Sequence, residues 1–274
     1  MSASIITRRR GRVLVDIGII TRRNLMSTVR LPDLLLLSTI QPVTFMLVFL
    51  FVFGGAIQNA LPPAADGQYI NWLLPGILAQ SAVFGAASTA FGLNNDRAKG
   101  VIDRFRSLPM ARPAVLAGRT LADLVRNAFI LALQLGVGLA LGFRWQTSIF
   151  GLLAGLGVAL AFGYACSWIM AFIGLSVRSP EAIQAAVYMV VFPLTLTSSV
   201  FVPTSTMPNW LAAFADNQPI TIVSNALRGL ILGEGALPVG HTVSGEVILA
   251  LGWIAAILAV FAPLAVRTYR RLTS

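Results

Sequence analysis

NNDRAKGVIDRFRSLPMAR, Asn94–Arg112, is an island of charge between two long apolar stretches, in a chain where only 11% of residues are charged. It sets Arg97, Lys99, Arg104, Arg106 and Arg112 against Asp96 and Asp103. Ala98, Val101, Ile102, Phe105 and Leu108 follow the spacing of one helical face, and Pro109 and Pro113 close the pattern. The spacing predicts a short amphipathic helix pinned between two membrane spans, where a second protein can push.

The flanks decide the fold class. The 274 residues are 57% hydrophobic and their mean hydropathy is +0.81, which excludes an ordinary soluble domain. A span needs about 20 apolar residues. Six are predicted: Leu34–Ile57, Ile70–Leu93, Thr120–Gly142, Thr147–Leu175, Ala182–Phe201 and Gly245–Val266. Pro193 interrupts the fifth. The reading is an all-α polytopic membrane protein, with residues 34–266 forming one six-span domain. Residues 1–33 precede it and residues 267–274 form a tail.

The net charge of +10 does not call for nucleic acid. Arg8, Arg9, Arg10, Arg12, Arg22, Arg23 and Arg30 precede the first span. With the island's five cations, Arg178, and Arg267, Arg270 and Arg271, they all fall on one side if the N-terminus is cytosolic. Only Arg144 and Arg228 fall opposite, while Arg119 and Arg126 open the third span. By the positive-inside rule both termini are cytosolic, with anionic lipid as a further attraction. The early arginines precede an apolar run long enough to span, so an uncleaved first span is expected rather than a signal peptide.

Residues 11–31 alternate Val13, Leu14, Ile17, Leu25 and Val29 with Arg12, Asp16, Arg22, Arg23 and Arg30. They predict an amphipathic helix in the inner interface, ended by Pro32. On the outer face, residues 202–244 hold two apolar stretches, Trp210–Phe214 and Ile220–Leu232. Each is too short to cross, as in a broken or re-entrant pair.

The catalytic inventory is thin. Lys99 is the sole lysine, and no G-x-x-x-x-G-K followed by Ser or Thr surrounds it, so ATP hydrolysis must come from another polypeptide. His241 is the sole histidine, which removes a zinc protease motif and disfavours a Ser-His-Asp triad. It is expected to be a solvated loop residue. Cys166 stands alone as a packing residue.

Polar groups within spans are costly and draw attention. Arg119, Asp123 and Arg126 lie at i, i+4, i+7 near the cytosolic end of the third span, with Asn127 and Gln134 extending the stripe. Asp123 can pair with either arginine; a structural ion pair is favoured over a proton relay. Gln41 beside Pro42, and Gln80, place amides in the bundle. Gln184, Tyr188, Thr195, Thr197 and Ser198 make the fifth span polar, fitting a pathway wall or equally helix packing. Gly151 and Gly155 form a close-packing motif.

The island with the following GRTLADLVR, Gly118–Arg126, resembles permease subunits of type-2 ABC exporters, above all the daunorubicin/doxorubicin-resistance permeases. MPNWLAAFADNQPITIVSNALRGL, Met207–Leu230, is similar to that family's hallmark near its last span. The resemblance covers nearly the whole chain. It implies that the loop 94–113 carries a coupling helix seated in a separate ATP-binding subunit, through Arg97, Lys99, Ile102, Asp103, Arg104, Phe105 and Arg106. It also implies a pathway between two permeases, identical or paralogous, for which Gln41, Phe45, Gln80, Phe84, Tyr188 and Phe192 are the candidates. Two ATP-binding subunits would carry ATP and Mg, and this chain would bind no cofactor or metal. The setting implied is a bacterial plasma membrane and the cargo an amphipathic drug, antibiotic or lipid-like molecule. Glycan export within the same family is the nearest alternative. A membrane enzyme on a lipid-linked substrate and a proton-driven carrier using Asp123 belong to other classes.

Overall fold

The computed structural model describes residues 15–26, 32–57, 61, 68–100, 112–177 and 179–273, and among them every regular element is helical. α1 covers residues 15–26. α2 (Pro32–Val48) runs through a π-helical stretch, Phe49–Phe53, into α3 (Gly54–Ile57). α4 (Tyr69–Ala98), α5 (Arg112–Ala140), α6 (Ile149–Ser176) and α7 (Pro180–Leu196) follow. Two short helices, α8 (Asn209–Asn217) and α9 (Pro219–Leu232), precede α10 (Val243–Thr273). Five segments are long and apolar enough to cross a membrane: Ile40–Ile57, Tyr69–Ala98, Leu116–Ala140, Ile149–Ser176 and Val243–Arg271. The chain is an all-helical, multi-pass membrane protein.

Small residues set the architecture. Lipid tails are as apolar as leucine, so helices in a bilayer associate by close van der Waals approach rather than by escaping water. α4 is the axis, buried over most of its length and packed by α6, α9, α5 and α7. At the α4–α6 crossing, Gly174 lies so close to Ala90 that a Cβ there would sit 2.6 Å from its carbonyl oxygen. Gly163 faces Ala82 in the same way, at 3.1 Å. Gly174→Leu would force the two backbones apart. It is expected to cost about 1–3 kcal/mol by overpacking, read as a lower melting temperature of the purified chain in detergent. An unchanged melting temperature would mean that this crossing does not fix the bundle.

Caps start the helices where the sequence offers a hydroxyl. The Gly151 amide donates to Ser148 Oγ at 3.2 Å, and the Ala182 amide to Ser179 Oγ at 3.1 Å, with Pro180 at the first helical position. Such caps contribute about 1 kcal/mol each.

The fifth predicted span is shorter than expected. α7 has 17 residues and stops at Leu196, before the predicted Phe201. Pro193 supplies no amide to the preceding turn. Thr197 Oγ1 then donates to the Pro193 carbonyl at 2.8 Å, and Ser198 Oγ to that of Thr195 at 2.5 Å. These hydroxyls satisfy last-turn carbonyls and let the chain turn.

The island also divides. Asn94–Ala98 belong to the end of α4 rather than to a separate helix. Gly100, at φ +65°, adopts the left-handed conformation that ends a helix, so the apolar pattern through Ala98 is not one continuous helix. Ile102, Asp103, Arg104, Phe105 and Arg106 lie outside the described residues.

α1 lies against the start of α5. Thr21 Oγ1 donates to the Gly118 carbonyl at 3.0 Å, and Ile20 is buried where Gly118 has no side chain. Of the two short helices, α9 is enclosed among α4, α6 and α10, whereas α8 leaves Trp210 and Phe214 exposed.

Candidate functional site

A polar seam runs between α4 and α5. Thr89 Oγ1 and Ser88 Oγ donate to the two oxygens of Asp123, at 2.5 and 3.1 Å. Arg126 Nη2 stands 3.6 Å from Asp123 Oδ1 and donates to the Gly85 carbonyl at 2.8 Å and to Ser88 Oγ. Farther along, Gln134 Nε2 donates to Ser81 Oγ at 2.8 Å. Arg119 turns the other way: its Nη1 meets Asp96 at 2.6 Å, and Arg23 of α1 approaches the same carboxylate at 3.7 Å. Asp123 thus pairs with Arg126, not Arg119. Glycines make room for these large polar groups, Gly92 opposite the Arg119 guanidinium and Gly85 opposite the Asn127 amide.

The cytosolic predictions for Arg97 and Lys99 fall at the end of α4. Arg97 Nη1 donates to the Leu175 carbonyl at 3.2 Å, satisfying a carbonyl of the last turn of α6. Asn94 Nδ2 reaches the Val177 carbonyl at 3.5 Å. Arg97 is therefore engaged within the chain, and Lys99 is the C-cap of α4.

Three predicted pathway residues, Gln41, Phe84 and Tyr188, meet around a cavity of about 180 Å³ between α2, α4, α5 and α7, together with Arg126, Ser88 and Phe91. The other three stand apart from it. Gln80 is buried in α4, and Phe192 is exposed on α7. Phe45 belongs to an aromatic stack, 6.1 Å from Phe201, which lies 3.9 Å from Phe49 of the π-helical stretch. π-Turns recur at functional sites, and this one places Phe49 and Phe53 in stacking contact, 5.1 Å apart.

Two sites were not read from the sequence. Arg228 on α9 is 1% exposed and lies over the Trp72 ring, 3.6 Å from its centroid. Its Nε donates to the Trp72 carbonyl at 3.2 Å. Nη1 donates to Ser199 Oγ at 2.9 Å and to Asn225 Oδ1 at 3.1 Å, and Nη2 to the Ser199 carbonyl at 2.6 Å. No carboxylate among the described residues pairs with it. The signal was present: Gln218, Thr221, Asn225 and Arg228 recur at helical spacing through an otherwise apolar stretch. The second site adds to the expectation for His241: it lies in the loop before α10 and is exposed, and it is also paired through Nδ1 with the buried Glu246 carboxylate.

Among the described residues, no group of three or more His, Cys, Asp or Glu gathers to hold a metal ion.

Comparison with known proteins supplies the framework for these features. The daunorubicin resistance ABC transporter permease protein of Streptomyces coeruleorubidus is 36% identical over 248 residues, covering 90% of this chain and 83% of that protein. A Mycobacterium tuberculosis protein named "Probable doxorubicin resistance ABC transporter permease protein" is 27% identical, over 85% of this chain and 80% of its own length. A second from the same organism, named without that qualifier, is 26% identical over 69% of this chain and 66% of its own length. The family described as ABC-2 type transporter matches residues 15–232, which take in the seam, the cavity and the Arg228 site. The chain belongs to the ABC-2 type transporter family.

Proposed function

We propose that this chain is the permease subunit of an ATP-driven exporter, moving an amphipathic drug, antibiotic or lipid-like molecule out of the cytosol or inner leaflet. The observation that carries the reading is the family match across residues 15–232, in a chain whose sole lysine lies in no phosphate-binding loop. Two ATP-binding subunits would supply ATP and Mg and receive the segment after Gly100, and a second permease would complete the pathway. The first span supports that pairing: only 6% of Ile40–Ile57 is buried within the chain, leaving a long apolar face for a neighbour.

In this reading α7 is the sixth crossing. Its 17 residues reach roughly 26 Å at 1.5 Å per residue, close to the ~30 Å hydrocarbon core. Both termini lie in the cytosol, as the arginine distribution favours, and α8 and α9 lie at the outer face. The domain is then residues 34–266, and the cavity bordered by Gln41, Phe84 and Tyr188 is a section of the route.

Inside-out vesicles holding the chain with its ATP-binding partner are expected to accumulate daunorubicin when ATP is added. The proposal fails if no P-loop protein co-purifies and accumulation follows an imposed proton gradient instead.

A further inference from the structure

The cavity has an electrical polarity set by two α5 side chains. Asp123 is absent from its wall and spends both oxygens on Ser88 and Thr89 of α4. Arg126 is on the wall. Its Nη2 makes every bond the guanidinium has, while Nε and Nη1 have no partner among the described residues. An ion pair is therefore presented to the cavity by its positive end, with Nη1 the donor left for a ligand, since Nε is enclosed. Opposite stand Gln41 and Tyr188, both exposed and making no hydrogen bond within the described residues, and the rings of Phe84 and Phe91.

The pocket is open on the side of Gln41 and Tyr188, which are exposed, so it receives one end of a molecule. A cavity of roughly 150 Å³ holds benzene, so about 180 Å³ admits one ring-sized end of a larger molecule. Arg126 Nη1 has no partner among the described residues, so an acceptor oxygen on that end gains a charge-assisted hydrogen bond there. A bare ammonium gains least there, facing a like charge. We infer that Arg126 is a substrate-recognition residue, and that this cavity takes the ring-sized end of an amphipathic molecule through a carbonyl, phenol or other acceptor oxygen. The inference rests on reading the cavity as part of an export route.

The test uses the full chain with its ATP-binding partner in lipid nanodiscs, and two fluorescent probes. Flavonol is uncharged and carries an acceptor carbonyl; ethidium is a planar cation without oxygen. Arg126→Gln alone would strand Asp123, so the informative variant is Asp123→Asn with Arg126→Gln, which removes both charges together, alongside Arg126→Lys. The double variant is expected to bind flavonol about tenfold more weakly, the loss of one charge-assisted hydrogen bond, and ethidium equally well or better. Arg126→Lys should fall between. Equal loss of both probes would make Arg126 a structural residue and overturn the assignment, as would unchanged flavonol binding. Arg126-dependent binding of flavonol without its ATP-driven movement would uphold the site and remove it from an export route. ATP-driven drug export with Arg126-independent binding would do the reverse.

Discussion

Replacing Arg228 by alanine is expected to lower the melting temperature of the purified chain by roughly 10 °C, a loss of about 3–5 kcal/mol from its hydrogen bonds and its cation–π contact. The cost comes from what is left behind. The Trp72 and Ser199 carbonyls, Ser199 Oγ and Asn225 Oδ1 all accept from this one guanidinium. The Ser199 carbonyl and Ser199 Oγ lose their donor, at about 1–3 kcal/mol each where nothing relaxes, whereas Asn225 Oδ1 keeps Ser199 Oγ at 3.5 Å and the Trp72 carbonyl keeps its place in the α4 ladder. The cation over the Trp72 face is lost as well, worth up to about 2 kcal/mol when desolvated. Arg228→Lys keeps the charge but not the planar fork that serves four acceptors at once, and should melt between the two. Thermal unfolding in detergent, with membrane abundance as a second readout, checks this. A melting temperature unmoved by Arg228→Ala would mean that the network contributes nothing and that water or a neighbour replaces it.

Arg104→Glu combined with Phe105→Ala is expected to abolish ATP-driven export while leaving membrane insertion and melting temperature intact. Both residues follow Gly100 in the sequence, and Gly100 takes the left-handed conformation just past the end of α4. Removing the ring takes away the largest apolar anchor of the segment, worth about 3–5 kcal/mol if buried in a partner's groove. Reversing the charge sets repulsion against any acidic groove. Together they exceed what most protein contacts leave in reserve. Co-purification of the ATP-binding subunit and substrate-stimulated ATP hydrolysis are the measurements. If both survive, this segment is not where the two proteins meet.

The helical, multi-pass character was readable because bilayer physics writes itself as long apolar runs. Finer features depended on local competition. Thr197 and Ser198 read as polar residues within a span, yet their hydroxyls end α7 at Leu196. Ala98 and Val101 kept helical spacing across Lys99-Gly100, and only backbone conformation shows that the helix stops there. At the seam the residue types were visible but not their partners. Asp123 had two arginines within reach on its own helix, and Arg119 was drawn away by Asp96 on another. Gln41, Phe84 and Tyr188 come from three helices whose convergence no local pattern reports. Arg228 was counted for topology, and its stripe of polar neighbours went unread.

The close contact at Gly76 has a mechanical consequence. A Cβ there would lie 2.7 Å from the Val200 carbonyl oxygen and 3.1 Å from Arg228 Nη2, so α4 is clamped near its N-terminal end. Its C-terminal end is tied to α6 through Arg97 and to α5 through Asp96. Between these two ties lie roughly 33 Å of helix at 1.5 Å per residue. A shift of about 3 Å at Ala98 would then swing α4 through roughly 5°. Phe84, Gly85, Ser88 and Phe91 sit on that arm, so the same swing would change the width of the cavity without unfolding a single turn.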